Sequence, residues 1–542
     1  MWKIFNSKTK TFTSAAFLIA FSTAFSGILG LLRDRLLASR LGAGSLLDIY
    51  FASFKIPDFI YYILIAGGVG AAFLPLLSQA AKKKRDLEFA NNFLNCILVV
   101  LVFLVVFLFL LTPFLIDFIA PGFSESEKAK TCFLTRIILL NPIIFGVSTI
   151  FSGILQYHQK FLAFCLAPIL YNLGIILGIL FLLPSLGLKG VAFGVILGAF
   201  LHLMIQFFPA KNSGFRYLPI LNFKTFFMKK ALLLMTPRII SQTIAQLNLI
   251  FVNAIASTLI SGSISIFNLS NNISFLPMGI IGVSFAVASF PFFSKSLALG
   301  KKEKFLRDFS SSLKQILFLI IPFSALLFAL RAQIVRLILG AGQFGWWETR
   351  LTAASLGIFA LGLFAATLIP LFLRAFFAFQ DTKSPLIAGV ASVILNIIFC
   401  LLFVSYFSFE NPFSSFFVGF LKLEGIESFQ VISLPLALSL SQIFQFLVLF
   451  LFFTKKFPSF RLKEISNSLK KILLATPLMV FFTYFGLRLG AEFFFTRTVL
   501  GLLLQTILAT ILGILVYLLT AFFLKSEELK TITSVFKSRF LK

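Results

Sequence analysis

Histidine is nearly missing from this chain: His158 and His202 are the only two in 542 residues. Its four cysteines, Cys96, Cys132, Cys165 and Cys400, lie far apart with no CxxC among them. These shortages exclude a zinc site and a disulfide framework, which need clustered thiols or imidazoles, so no metal and no cofactor is expected. Carboxylates are scarce as well, 19 against 47 lysines and arginines. Such an excess would suit nucleic acid if it formed one stripe. Instead the cations fall in short runs between apolar stretches, as at Lys82-Lys83-Lys84-Arg85 and Lys301-Lys302-Glu303-Lys304, which is the pattern of cytoplasmic loops beside anionic lipid. Nucleic acid is therefore not an expected partner. Also missing are a GxSxG elbow, a Walker A loop and an HExxH pair. No catalytic residue is named, and the chain reads as a transporter and not an enzyme, driven by an ion gradient, the membrane potential or product pull.

What is abundant is apolar surface, 59% of residues with a mean hydropathy of +1.02, far above the roughly 45–50% of soluble domains. The fold class expected is an all-α polytopic membrane protein. The N-terminus has the basic start and apolar run of a signal peptide, but the apolar pattern continues without a small-x-small cleavage site, so it is read as a retained first span. At about 20 residues per crossing, spans fall near 14–41, 46–80, 90–118, 130–157, 161–183 and 189–208. A basic segment, AKNSGFRYLPILNFKTFFMKK, reads as an amphipathic cytoplasmic linker. Further spans follow near 230–259, 263–298, 312–339, 351–379, 384–407, 430–454, 468–490 and 498–524, about fourteen in all. With both termini inside, the cytoplasmic loops collect about 30 lysines and arginines against about a dozen outside, as the positive-inside bias expects. The external segment SFENPFSSFFVGFLKLEGIESF reads as an interfacial or re-entrant piece.

A repeat divides the chain further. Ala38-Ser39-x-Leu41-x-x-Gly44-Ser45 recurs as Ala256-Ser257-x-Leu259-x-x-Gly262-Ser263, FLPLLS ending at Ser78 is echoed by SFPFFS ending at Ser294, and Gln156 and Asn172 recur as Gln380 and Asn396. Two pseudo-symmetric six-helix lobes of like orientation follow from this: an N-lobe over 1–208, the linker over 209–229, a C-lobe over 230–454, and two C-terminal helices with a basic tail over 455–542. A cleft between lobes is the natural place for a substrate.

Ionised side chains inside apolar spans mark the candidate site, because each costs several kcal/mol unless it meets water or a partner. Ser26, Arg33, Asp34, Asp48, Lys55 and Asp58 fall in the first two spans. Arg33 and Asp34 fit either a snorkelling cation paired with its neighbour or an anion site. Lys55 and Asp58, three residues apart, share a helix face and suit a local ion pair, and Asp48 fits either the pathway or a helix N-cap. Later in the chain, Pro237-Arg238 begins a polar face that continues through Gln242, Gln246, Asn248 and Asn253, while Asn268, Ser270, Asn271 and Asn272 make the eighth span too polar to face lipid. Such amides serve equally as glue between helices. Convergence of Arg33, Lys55 and Arg238 on a common water-filled space is the observation that would mark an anion site.

The stretches SGILGLLRD, LGAGSLLDIYFASFKIPD, ILQYHQKFLAFCLAPILYNLG, TPRIISQTIAQLNLIFVNAIAS, GSISIFNLSNNISFLPMGIIGVSFAVASFPFFSKS and LRAFFAFQDTKSPL resemble, in family order, the MurJ/MviN family of lipid II flippases within the multidrug/oligosaccharidyl-lipid/polysaccharide exporter superfamily. The resemblance implies that an undecaprenyl-type lipid-linked saccharide, the peptidoglycan precursor lipid II, is moved from the inner to the outer leaflet of the bacterial cytoplasmic membrane by alternating access. Membrane lipids and cell-wall synthesis enzymes are then the surrounding partners. It also implies a cationic cavity, onto which Ser26, Arg33, Asp34, Asp48 and Lys55 map as polar family positions. Departures are marked. The family usually has Arg at Gly27, Asn at Asp58, an Arg pair at Tyr61-Tyr62, Glu at Ala66 and an Asp-Arg pair at Asn271-Asn272, and the span-seven position where some members place a carboxylate or amide for sodium falls on Val252. Arg33 and Lys55 are then expected to contact diphosphate, with Arg238 compensating for missing arginines, Asp48 and Asp58 gating or pairing, and Asn271-Asn272 as neutral lining. Two readings compete with this: the same fold carrying another polyprenyl-diphosphate oligosaccharide or a small molecule, and a non-transporting membrane scaffold.

Overall fold

The computed structural model describes residues 12–426, 428–495, 498–531 and 533. Every regular element among them is helical. Thirteen helices among the described residues are long and apolar enough to cross a membrane, and the 30-residue helix Phe12–Leu41 precedes them. The all-α multi-pass expectation of about fourteen spans is met. The described residues fall into two compact units, one within residues 1–265 together with Gly342–Phe344, the other comprising the described parts of 266–341 and 345–542.

In the first unit, seven long antiparallel segments run from Phe12–Leu41 through Phe226–Ser257. Their core is aromatic: Phe73, Phe89 and Phe93 pack with ring centroids 5.3–5.8 Å apart. Lipid gives helices little hydrophobic reason to associate, so close packing has to hold them. Glycines supply it between Phe161–Leu177 and Leu188–Lys211, where a Cβ on Gly174 would lie 2.3 Å from the Gly198 Cα and one on Gly194 2.6 Å from the Gly178 Cα. Spaced four apart, these glycines place two backbones in direct contact.

Three spans carry π-helical turns among the described residues, one of them at Gly178–Leu182 in the fifth span. Residues Tyr61–Val69 of the second span form a π-helix, and so do Met278–Val283 of the second unit. Their first residues are separated by the same offset, within one residue, as the repeated motifs at Ala38 and Ala256 and at Ser78 and Ser294.

In the second unit, Phe305, Phe309, Phe372 and Phe453 form a matching aromatic core, with Phe309 and Phe453 stacked at 4.3 Å. The span expected near 312–339 begins earlier, at Lys302, and ends at Ala329; a separate helix, Arg331–Ile338, follows. A buried stripe of Phe305, Phe309 and Leu313 extends the helix into polar sequence at its start. Arg331 turns it back at the end, donating to the Phe328 carbonyl at 2.9 Å with its guanidinium over the Phe328 ring. The segment after Tyr406 holds helix Pro412–Leu421, capped by Asn411 and Ser414 and too short to cross.

Candidate functional site

The site is built on the buried face of helix Phe12–Leu41 in the first unit. Arg33 and Asp34 are chain neighbours, and the guanidinium closes back on the carboxylate: Nε and Nη2 both donate to Asp34 Oδ1, at 3.0 and 2.8 Å. Asp34 is almost wholly buried, while about a fifth of the Arg33 side chain stays accessible. The remaining amino group donates to Asn172 Oδ1 at 3.2 Å. A guanidinium has five N–H donors, so three are engaged and two remain for an incoming acceptor.

Asn172 is fixed in turn. Its Nδ2 donates to Ser26 Oγ at 3.2 Å, to the Ser26 carbonyl at 3.3 Å and to the Pro168 carbonyl at 3.2 Å. One amide therefore presents oxygen to the cation and nitrogen to the serine, which sets the side chain's orientation. Asn172 sits two residues before Gly174, so the glycine contact between the two backbones also sets how far it reaches.

Lys55 and Asp58 share helix Lys55–Ile60. Both are half-buried, and Lys55 and Arg33 each act electrostatically on the Asp58 carboxylate. Tyr50 and Tyr171 lie within electrostatic reach of Arg33. The structure thus brings together Ser26, Arg33, Asp34, Lys55 and Asp58, two cations against two carboxylates. Sequence reasoning missed Asn172, Tyr50 and Tyr171 as site residues; the recurrence of Asn172 as Asn396 was the available signal.

Asp48 stands elsewhere in the same unit. Its carboxylate accepts from Gly262 N at 2.6 Å, Ser265 N at 2.7 Å and Ser265 Oγ at 2.5 Å. It is an N-cap, but of the helix beginning at Ser263 and not of its own, which starts after Gly44 without a side-chain cap. Gly262, at φ +96°, permits the approach, since a Cβ there would lie 2.1 Å from the Ala43 carbonyl oxygen. Nearby, Gly122 N donates to Ser257 Oγ at 3.1 Å and Asn253 Nδ2 to the Ile119 carbonyl at 3.0 Å. These contacts join the ends of several helices of the first unit.

Arg238 is exposed on helix Phe226–Ser257 and is not among the partners of the Arg33–Asn172 network. This helix packs against the π-helical turn through Gly67 and Gly68, where added Cβ atoms would meet Gln242 Cγ at 3.0 Å and Met235 Cε at 2.6 Å. Asn271 and Asn272 are half-buried in the second unit, where the Asn271 carbonyl accepts from Ser274 Oγ at 2.9 Å. A small crevice of about 170 Å³ opens beside Ser26, between Ile19, Ser22 and Thr23 on one helix and Phe164, Cys165 and Pro168 on another. Among the described residues no cluster of three or more His, Cys, Asp or Glu could hold a metal ion.

A family model described as the lipid II flippase MurJ matches residues 37–504. The chain is 28% identical over 518 residues to a protein described as a probable lipid II flippase MurJ from Thermotoga maritima, across 95% of this chain and 97% of that one. Among solved structures it is similar to one described as lipid II flippase MurJ in an inward closed conformation, with a TM-score of 0.73 at 24% identity, covering 97% of this chain and all of that one. An inward-facing multidrug MATE transporter follows at a TM-score of 0.67 and 16% identity, over 80% of this chain and 95% of that one. These last two likenesses concern the fold.

Proposed function

The chain belongs to the lipid II flippase MurJ family, and from that premise we propose that it carries the lipid-linked peptidoglycan precursor lipid II across the membrane, from inner to outer leaflet, by alternating access. The observation that carries the site assignment is Arg33, held by Asp34 and Asn172 with two N–H donors to spare. Phosphate oxygens bound by a guanidinium form charge-assisted hydrogen bonds about twice as strong as neutral ones. The polyprenyl tail needs no polar path and can remain in hydrocarbon.

The two cations of this cluster are balanced by Asp34 and Asp58, so binding is proposed to proceed by exchange. A diphosphate takes up the spare donors of Arg33 and draws Lys55 from Asp58, leaving each carboxylate to be resolvated or protonated. Release reverses the exchange. Ser26 acts through Asn172. Asp48 serves as a gating residue, its cap joining helix ends of the first unit, while Arg238, Asn271 and Asn272 line the route outside the cluster. The repeat lobes, 1–208 and 230–454 with 209–229 between them and 455–542 appended, are the moving bodies of this reading. The chain would lie in the bacterial cytoplasmic membrane with both termini inside, make no covalent change to its cargo, and release it to the wall-building enzymes outside.

The test is complementation in cells depleted of their own flippase, with Arg33→Ala alongside the parent. Rescue by the parent and failure by an Arg33→Ala chain inserted to the same level supports the assignment. No rescue by a correctly inserted parent overturns the cargo, and equal rescue by both removes Arg33 from the site.

A further inference from the structure

The segment joining the sixth and seventh spans has a property that transport does not require. From Lys211 to Lys230 it carries five cations and no carboxylate. It is not helical over 215–222. Three asparagines of helix Asp86–Ile119 hold it extended instead. Asn91 donates to the Arg216 carbonyl at 2.9 Å and accepts from Leu218 N at 2.8 Å. Asn92 donates to the Asn222 carbonyl at 2.9 Å and accepts from Asn222 N at 2.6 Å. Asn95 donates to the carbonyls of Leu218 and Ile220 at 3.0 and 2.8 Å. Side-chain amides here do the work of a neighbouring strand, satisfying the backbone of the even-numbered residues 216–222 on one side.

Pinned in this way, the segment turns apolar side chains outward. Tyr217, Leu221 and Phe226 are 63%, 53% and 67% exposed, and Phe223 is exposed too. Two ammonium groups lie near the Phe226 ring, Lys83 at 5.8 Å and Lys230 at 5.9 Å, and Lys230 also donates to Gln79 Oε1 at 2.9 Å. The loop Lys82-Lys83-Lys84-Arg85 is thereby joined to the linker in one basic patch, at the ends of membrane-crossing helices. Water disfavours so many exposed rings, and like charges at this density repel one another. A surface of anionic headgroups over hydrocarbon resolves both, taking rings into the interfacial layer and cations against phosphates.

We propose that this patch, residues 211–230 with 82–85, is a docking surface for anionic phospholipid headgroups of the leaflet on its own side, with Tyr217, Leu221, Phe223 and Phe226 inserted as anchors. The asparagine ladder presents the surface. Placing it on the cytoplasmic side rests on the topology given above, whereas the lipid preference itself does not depend on the transported cargo.

The experiment uses the full-length chain in nanodiscs of mixed phosphatidylcholine and phosphatidylglycerol. A bimane label goes on Leu221→Cys in a Cys132→Ser background, the other three thiols being buried. Quenching is compared between discs in which one or the other lipid is brominated, at equal mole fraction. Brominated phosphatidylglycerol should quench at least about twofold more strongly, given the attraction of each basic residue for an anionic surface. That preference should weaken with Lys211, Arg216, Lys224 and Lys229 all changed to Gln, since Lys230 and residues 82–85 remain, and should fall to parity in high salt with the parent, so a poorly folding variant still leaves the salt arm. Equal quenching by both lipids, a preference undiminished by charge removal and salt, or no quenching by either lipid would each overturn the proposal. Because no transported lipid is present, failure here leaves the flippase reading standing, and failed complementation leaves the docking surface standing.

Discussion

Asn172 accepts a hydrogen bond from Arg33 at 3.2 Å across two helices that lie 139 residues apart in sequence. The amide also holds Ser26, so it orients the guanidinium without offering a charge to the cargo. Asn172→Ala should leave insertion intact and reduce transport about tenfold, the equivalent of one hydrogen bond to a charged group. Asn172→Asp should be worse, because a second carboxylate would then occupy the donors left for phosphate. Translocation by purified chains in proteoliposomes measures both; an Asn172→Asp chain as active as the parent would remove the amide from the site.

Asp48 is nearly buried and takes three donors from the start of another helix. Asp48→Ala leaves Gly262 N and Ser265 N without their acceptor, and a buried unsatisfied donor costs about 1–3 kcal/mol. The expected result is a lower melting temperature in detergent together with lost transport. Asp48→Asn, which keeps one oxygen but turns an N–H towards the same donors, should fall between. A melting temperature unchanged in Asp48→Ala would show that the cap contributes nothing.

These two positions show what could be read in advance. Apolar runs and loop cations located the spans, because bilayer thickness fixes helix length and headgroup charge fixes loop composition. Arg33, Asp34, Lys55 and Asp58 stood out as charges where charge is costly, and the structure gathers them in one place. Asp48 stood out for the same reason, yet its partners lie 214 and 217 residues away, beyond any local pattern. Arg238 shows the converse: a charge beside an apolar run that ends exposed. Asn172 was visible only as half of a repeat, since an uncharged amide in a span has too many ordinary uses to signal a site. Asn91, Asn92 and Asn95 were silent for the same reason.

The glycines at 174, 178, 194 and 198 bear directly on the position of Asn172. In Gly194→Ala the new methyl would sit 2.6 Å from the Gly178 Cα, and backbone cannot yield as a flexible side chain can. Overpacking of this kind costs about 1–3 kcal/mol, so the variant should melt earlier and transport less. Gly419→Ala is the control, with nothing within 4 Å of the added atom and a better helix former in place. It should melt at the parent's temperature or slightly above. Equal losses in the two variants would point to helix flexibility instead of contact.

Asp381 lies between two spans and pairs with Lys456 at 2.7 Å. Burial alone would push its carboxyl up, but the Lys456 ammonium together with the N–H and hydroxyl of Ser384 outweighs that and draws it down to about 2. A group whose pKa is depressed on folding stabilises the fold above its ordinary range and loses that contribution as pH falls through the folded value. The window therefore runs from about pH 4 down to about pH 2. Lys456→Gln should melt below the parent at neutral pH, and the gap should shrink across that window. A gap independent of pH would mean that Lys456 contributes packing and not charge.

The π-helical turns Tyr61–Val69 and Met278–Val283 sit at matching points of the repeat, whereas the third, Gly178–Leu182, has a regular α-helix, Lys383–Tyr406, at its counterpart. A π-turn inside an α-helix is rare and is frequently found at a functional site. In the first copy, Gly67 and Gly68 add a surface that another helix can slide over. If these turns flex during transport, their amides should exchange with solvent deuterium about tenfold faster than those of the flanking turns, since segments that move are drawn from the low-stability end. Replacing Gly68 by Leu, which meets Met235 where glycine leaves room, should slow exchange at 61–69 and reduce transport while the second copy's exchange is unchanged. Uniform exchange along both spans would show that these π-turns are static and not hinges.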